Sequence, residues 1–552
     1  MKKIARWSII TLAAVGSLLF LPSAVVGDGF SLGKSMEILV NVLRNISLYY
    51  VDEVDPNQLL KDATTGLVRN LDPYTEFISE SEVEGFELMT TGKYGGIGSL
   101  IRQKGDWVLF AEPYKNSPAD KAGIRIGDRL VEIDGRSAKG MTTEQVSNAL
   151  KGEPGSKIKI KVQKWLTDEE VELRIDREII TIPGIPYYGM VSDSVGIICH
   201  NDFTENCSVE MRRAVEALKA QGAKALILDY RSNGGGLLSE AVSTLSLFVP
   251  RGSEVVSTRA KDSANNTTLR TQSDPIDTEI PIVVLVDGNS ASAAEIVSGA
   301  IQDYDRGVLI GQRTYGKGLV QTSLPTGYDT FVKVTTAKYY LPSGRCIQAI
   351  DYASRDANGA IHAVPDSLIN EFSTRAGRKV YDGGGVLPDV VLEPEYASSY
   401  ASVVYNMNLL SDFADLFWKR HQDSLTVIPR EYRFTDADWE EFEAFMAEQE
   451  VPWESNTKRA LELLRESAEQ ERYLESIEER IAVIEEQVSS KERTLNLHRE
   501  ELRDLIEKEM LLRFAYTEGA IDHSMRDDKT VARALDLLHN PKEYAKMLQP
   551  AE

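Results

Sequence analysis

Short β-branched runs, each broken by a polar or glycine-rich turn and followed by apolar residues at helical spacing, recur through the middle of this chain. S-V-G-I-I-C-H (Ser194–His200) precedes a helical pattern over 209–220. A-L-I-L-D-Y (Ala225–Tyr230) runs into glycines and a further helix. I-V-V-L-V (Ile282–Val286) leads through D-G-N-S-A-S-A-A-E-I (Asp287–Ile296) into another. Strands separated by helices of about a dozen residues predict crossover units and a largely parallel sheet. Upstream, apolar positions at helical spacing over 36–50 and 59–71, the second ended by Pro73, predict a helical region over 28–90. From Tyr94 the texture changes to short strands and glycine turns. Past about residue 395 it becomes helical, and Leu474, Ile477, Ile481, Ile484 and Val488 follow 3-4-3-4 spacing over about two heptads. That seam reads either as a helix packed inside a helical tail or as a dimerisation surface.

Composition narrows the function classes. A formal net charge of −23 disfavours a nucleic-acid partner, whose phosphates it would repel. The 552 residues exceed one core and imply three or four domains. Met1-Lys-Lys with Arg6, an apolar run to Leu21 and the small residues up to Gly27 have the layout of an export signal over 1–27, with an uncleaved membrane anchor as the alternative. Three cysteines do not staple a secreted fold, although Cys199 and Cys207 could pair if both face one way. Neither they nor the six histidines have metal-site spacing, so no metal and no cofactor is expected.

Chemistry concentrates at the third strand-to-helix junction. Small residues there permit close approach of a substrate backbone, and a serine at a helix start lies beside unpaired N–H donors of the kind an oxyanion needs. The plain reading is that Ser290 or Ser292 only caps the helix. A reactive serine needs a base. His200 is the one candidate histidine in the same α/β region, and the other choice is a lysine. Lys317 lies between two glycines just before an apolar strand. Bringing such an amine from about 10.4 to near 7 takes about 4–5 kcal/mol of differential stabilisation, which burial can supply. In D-Y-R-S-N-G-G-G (Asp229–Gly236) three glycines free the backbone amides to turn toward a ligand. The missing G-K-[ST] ending argues against a phosphate loop.

Two resemblances follow. Asn116–Gly135, with the helical turn A-D-K-A closed by Gly123 and L-V-E-I alternating into Asp134-Gly135, is followed by a helix over 142–150 and a strand over 157–162. This succession resembles a PDZ domain. N-L-D-P-Y-T (Asn70–Thr75), that segment, D-Y-R-S-N-G-G-G, S-A-S-A-A-E (Ser290–Glu295), G-K-G-L-V-Q (Gly316–Gln321), Y-Y-L-P-S-G-R (Tyr339–Arg345) and G-G-V-L-P-D (Gly384–Asp389) stand in one order. Together they resemble the carboxyl-terminal-processing peptidases, exported Ser/Lys endopeptidases that carry a PDZ domain. The likeness covers about 35–395.

The resemblance implies an α/β fold with a crotonase-like or Clp-like peptidase core, an inserted PDZ domain and helical segments at both ends. The expected divisions are 1–27, 28–90, 91–168 for the PDZ domain, 169–395 for the core with part of 28–90, and 396–552 for the tail. Ser292 would be the nucleophile, Lys317 the general base, and Gln321 a holder of its amine. Glu295 would orient Lys317, or merely favour the helix N-terminus. Ala293 and Gly235 would supply the oxyanion donors, leaving Ser290 structural. Gly96, Ile97 and Gly98 would hold a terminal carboxylate, with Val146 and Leu150 as pocket residues or core. Gly234 replaces the family's proline, which loosens the case for Gly235. Expected partners are polypeptides with apolar C-termini, and the tail leaves room for a homodimer or an adaptor. The expected location is the periplasm or cell envelope, at the inner membrane if the leader is retained. The competing readings are a non-catalytic PDZ scaffold and a Ser/His hydrolase using His200.

Overall fold

The computed structural model describes residues 26–355, 360–421 and 429–550. The predicted leader lies outside these residues except for positions 26 and 27, which open the first helix. The chain forms two compact units, one comprising residues up to Val83 with Gln321–Thr335, the other the remainder.

In the first unit the helices Val26–Tyr49 and Pro56–Val68 precede the D-P-Y-T turn. Asp55 caps the second helix by accepting the Asn57 N–H, and Pro56 occupies the first helical position, where no N–H is needed. The strand Glu76–Ile78 pairs antiparallel with Phe331–Lys333. None of the helices among the described residues is long and apolar enough to cross a membrane.

Within the second unit a two-stranded stem, Lys93–Gly96 against Glu178–Thr181, carries a six-stranded sheet with two short helices. Ser99–Lys104 is the edge strand of that sheet, beside the helix Thr143–Leu150. The sheet's last strand, Glu170–Asp176, pairs along all of Lys157–Gln163, so this domain runs past the boundary expected at 168. Polar alternation in V-E-L-R-I hides that strand, because only one of its faces is buried.

The core is a six-stranded sheet in the order Tyr187–Met190, Val195–Cys199, Ala225–Asp229, Ile282–Val286, Val308–Gly311, Val390–Val391, parallel after its first pair. The helices Cys207–Ala220, Leu238–Leu245 and Ala293–Asp303 cover one face, as same-handed crossovers require. The other face carries Ile197, Ile227, Val283, Leu285 and Ile310, and is covered by Val531, Ala534, Leu537 and Tyr544 from the end of the chain. Strands buried on both faces read as unbroken apolar runs. The helices 529–538 and 541–547 therefore complete the core that was expected to end at 395.

The rest of the tail, from Ser399, packs on its own core around Phe413, Phe434, Trp439 and Phe442. Its helices reach the PDZ-type domain through Asp412, which binds Lys104 at 2.6 Å. Of the heptad seam only Ile481 is buried, and its helix pairs with Asn456–Gln470 in the same chain. Cys199 and Cys207 do not pair. Cys207 faces Glu240 under the helices (Sγ–Oε2 3.7 Å), whereas the surroundings of Cys199 are Asp229 and Arg231 at the strand ends.

Candidate active site

Ser292 sits where the third parallel strand gives way to the helix Ala293–Asp303, with φ 54° and ψ −112°. A β-carbon residue held there stores about 1–3 kcal/mol of backbone strain, so its surroundings must over-determine it. They do. The Ser292 N–H donates to Glu295 Oε2 (2.8 Å), its carbonyl accepts the Ile296 N–H (2.9 Å), and the Ala291 N–H donates to the Asn233 carbonyl (2.9 Å). Ser290 is fully buried with its hydroxyl donated to the Tyr230 carbonyl (2.8 Å).

Glu295 is the organiser of the site. Its fully buried carboxylate accepts Thr314 Oγ1 (2.5 Å) and the Gly316 N–H (2.8 Å) on Oε1, and the N–H groups of Ser292 (2.8 Å) and Lys317 (2.9 Å) on Oε2. Burial pushes its pKa above the ordinary carboxylate value, and these four donors act against that rise. Glu295 thus stands in the first turn of its helix and bonds the backbone of the lysine loop.

Lys317 is half-buried, and its carbonyl accepts the hydroxyl of buried Tyr339, which also lies 3.3 Å from the Ser292 carbonyl. The flanking glycines are steric necessities. A β-carbon on Gly316 would lie 2.4 Å from Ala349 Cβ, and one on Gly318 would lie 2.8 Å from the Gln348 nitrogen. Gln321, two residues into the strand Leu319–Gly327, donates its Nε2 to Thr335 Oγ1 (3.2 Å) within the first unit.

The glycine loop is arranged differently from the expectation. The Gly235 N–H is donated to Asn233 Oδ1 (2.8 Å), so this donor is already spent. What Gly235 provides is proximity. A β-carbon there would stand 2.7 Å from Ser292 Cβ and 3.0 Å from the Ala293 nitrogen, and its φ is +103°. The Ala293 N–H, at the first helical position, has no acceptor within its own helix. Asn233 went unnoticed in the sequence, although a buried Asn between a turn and a glycine run is a signal of side-chain bonding to nearby backbone. Thr314, Asp287 and Tyr339 were likewise missed. Asp287 accepts the Ser232 N–H (3.0 Å), tying the two loops together.

His200 is not part of this assembly. Its ring is buried between Phe203 and Tyr230 (centroids 4.2 and 5.3 Å), and Nε2 meets the Asp202 carbonyl at 3.1 Å. Burial pulls its pKa down to about 3. A hollow of about 1690 Å³ between the strand ends and the tail helices of the second unit is lined by charged residues such as Arg231, Asp287 and Arg526 and includes neither Ser292 nor Lys317.

In the PDZ-type domain, the Ile97 carbonyl accepts the Ala119 N–H (2.8 Å), and the Gly98 carbonyl accepts the Tyr114 N–H (3.0 Å) and the Ser117 hydroxyl (2.8 Å). Across trans peptides the next N–H groups, of Gly98 and Ser99, then point away from that turn. Gly96 pairs with Glu178 in the stem. Val146 and Leu150 are buried among Ile97, Phe110 and Ile160. The i,i+4 face of the helix they share is what seats it on the sheet.

Comparison with known proteins yields three matched segments. Residues 194–354 match Peptidase family S41, residues 109–164 match the PDZ domain, and residues 400–538 match the C-terminal helical domain of a probable PDZ-protease group. A carboxy-terminal-processing protease of Bartonella bacilliformis is 32% identical over 321 residues, covering 57% of this chain and 73% of that protein. A probable CtpA-like serine protease of Staphylococcus aureus is 30% identical over 342 residues, covering 61% and 68%. The solved structure of a photosystem II D1 C-terminal processing protease is 28% identical with a TM-score of 0.35, covering 64% of this chain and 86% of that one.

Proposed function

The chain belongs to the carboxy-terminal-processing serine proteases of peptidase family S41 and carries a PDZ domain, and from that premise we propose that it captures polypeptide C-termini and hydrolyses them with a Ser292/Lys317 dyad. The observation that carries this reading is the convergence of the Ser292 and Lys317 main chains on one oxygen of Glu295. Ser292 Oγ attacks the scissile carbonyl while the neutral Lys317 amine takes its proton. The oxyanion forms beside the Ala293 N–H. The C–N bond then breaks, the Lys317 ammonium protonates the leaving amine, and an acyl-enzyme remains for water to cleave by the same proton transfers.

The edge strand Ser99–Lys104 offers unpaired backbone to an extended substrate tail, whose carboxylate would meet the glycine loop at Gly98. The basic, apolar and small-residue order of 1–27 supports export to the periplasm or cell envelope.

The test is cleavage of an unfolded protein with an apolar free C-terminus, beside Ser292→Ala, Lys317→Ala and the same substrate with its C-terminus amidated. We expect cutting by the parent chain alone and slower cutting of the amidated substrate. Binding of the tail without cutting by the parent chain would instead make it a scaffold. Undiminished cutting by Lys317→Ala would remove lysine as the base.

A further inference from the structure

A side chain of the tail reaches the glycine loop beside Ser292. Asp528 is the N-cap of the helix Lys529–Leu538, and its two oxygens have different partners. Oδ1 accepts the N–H groups of Thr530 (2.8 Å) and Val531 (2.9 Å), which seats the helix start. Oδ2 accepts Arg231 Nη1 (2.7 Å). Arg231 is the third residue of D-Y-R-S-N-G-G-G. Its other two guanidinium nitrogens fork onto buried Asp229, Nε to Oδ1 (2.9 Å) and Nη2 to Oδ2 (2.5 Å). Asp229 Oδ1 also accepts the Arg231 N–H (3.0 Å).

These contacts differ in what they can hold. The Asp229–Arg231 fork joins two residues of one turn and would travel with it. The Ser232 N–H, donated to Asp287 Oδ1 (3.0 Å), ties the turn to the loop that leads to Ser292. The Arg231–Asp528 pair ties it instead to the helix whose Val531, Ala534 and Leu537 cover the far face of the sheet. The turn has strain to contain, because Ser232 holds a left-handed φ of 59°. Next in the chain stands Gly235, where an added β-carbon would lie 2.7 Å from Ser292 Cβ and 3.0 Å from the Ala293 nitrogen. A small displacement of this loop therefore moves backbone against the proposed nucleophile. All of these residues belong to the second unit.

We propose that Asp528 is a positioning residue: through Arg231 it braces the loop 229–236 against Ser292, so that the end of the chain sets the geometry of the acylation step as well as covering the sheet. The proposal rests on Ser292 acting as the nucleophile. Asp528 is assigned no contact with the substrate and acts through Arg231. Its grip on the helix start is a separate function of its other oxygen, and the two functions can be parted. A serine at 528 can cap the helix through its hydroxyl, as Ser398 and Ser455 do for their own helices, but it has no second oxygen for Arg231.

The experiment compares Asp528→Ser with the parent as full-length chains. It reads steady-state cleavage of a quenched fluorogenic peptide ending in an apolar free carboxylate, and amide hydrogen exchange by mass spectrometry. Asp528→Ser should lower kcat about five- to tenfold at unchanged KM, with the thermal midpoint within about 3 °C of the parent's. The N–H groups of Arg231, Ser232, Asn233 and Gly235 are all bonded in the parent. Exchange over 229–237 should therefore quicken by about threefold or more, while exchange over 529–538 stays as it was. The proposal is overturned by parental kcat in Asp528→Ser, by a loss confined to KM, or by unchanged exchange over 229–237. Exchange that quickens equally over 529–538 would make Asp528 a cap and nothing more, and overturns it too. If Asp528→Ser melts early, Asp528→Asn takes its place, since its one oxygen can serve the cap while its NH₂ faces Arg231. Early melting of both would assign Asp528 to stability and sink the brace. Ser292→Ala separates the two levels. If it is silent while Asp528→Ser cuts like the parent, only the brace falls, and if Ser292→Ala cuts normally, the nucleophile and the brace fall together.

Discussion

Glu295 and Lys317 are joined through backbone: Oε2 of the glutamate accepts the lysine N–H at 2.9 Å, and the same oxygen holds the Ser292 N–H at 2.8 Å. The lysine loop is therefore held to this carboxylate through backbone. An amide at 295 retains one acceptor oxygen for four donors. Glu295→Gln should lower kcat by about ten- to a hundredfold through loosening of the 314–317 loop, with the fold retained. Steady-state kinetics beside a thermal melt checks this, and an unchanged kcat would remove Glu295 from the positioning of the dyad.

Gly235→Ala tests whether that glycine serves by its missing side chain. The new methyl would lie 2.7 Å from Ser292 Cβ and 2.9 Å from the Ala291 carbonyl, at a φ of +103° that strains any L-residue. Activity should fall below detection, and the melting temperature should drop as well. Asn233→Ala, by contrast, removes the side chain that bonds both Gly235 N–H and the His200 carbonyl (2.6 Å). Two buried groups left unpaired should cost about 2–4 kcal/mol in urea unfolding. A stable, active Gly235→Ala protein would show that the loop has room the structure does not give it.

The strands Ala225–Asp229 and Ile282–Val286 were legible in sequence because double burial makes them continuous β-branched runs. What lay against their second face was not, because the covering helix 529–538 is distant in sequence and is itself an ordinary amphipathic segment. The motifs that carry Ser292 and Lys317 stand out in sequence, and the structure brings their main chains to one oxygen of Glu295. The glycines around them were recognised but misread at Gly235, where the lack of a β-carbon matters and the N–H is already bonded. G-K-G carries the same lesson, since contacts with Gln348 and Ala349 dictate those glycines and no local pattern announces such contacts. Tyr339 and Thr335 belonged to strands whose partners only the fold reveals.

His200 separates the two candidate bases by pH. Burial holds its folded pKa at about 3, below the ordinary 6.5, so the folded state binds fewer protons than the unfolded state between those values. Its contribution to stability is complete above pH 6.5 and is lost as pH falls toward 3, at about 1.4 kcal/mol per pH unit. His200→Gln, neutral throughout, should flatten that part of the acid limb in urea unfolding followed from pH 7 to 4. It should keep peptidase activity, because its ring makes no hydrogen bond to Ser292. An inactive but well-folded His200→Gln protein would reopen the histidine reading.

The end of the chain should behave as core and not as an appendage. The Tyr544 hydroxyl accepts the Ile282 N–H and donates to the Ile282 carbonyl, both at 3.0 Å, at the start of the strand that leads to Ser292. Tyr544→Phe keeps the ring among its apolar neighbours but leaves two buried backbone groups without that partner, and should destabilise by about 1–3 kcal/mol. Removing everything after 524 uncovers Ile197, Ile227, Val283, Leu285 and Ile310 on one sheet face. Each of those side chains is worth about 1.5–3 kcal/mol of burial, so the shortened chain should not remain folded and soluble. Expression of chains ending at 524 and at 552, followed by gel filtration and the peptidase assay, checks this. A soluble, active chain ending at 524 would mean that the sheet tolerates an open face and that the tail serves some purpose other than completing the core.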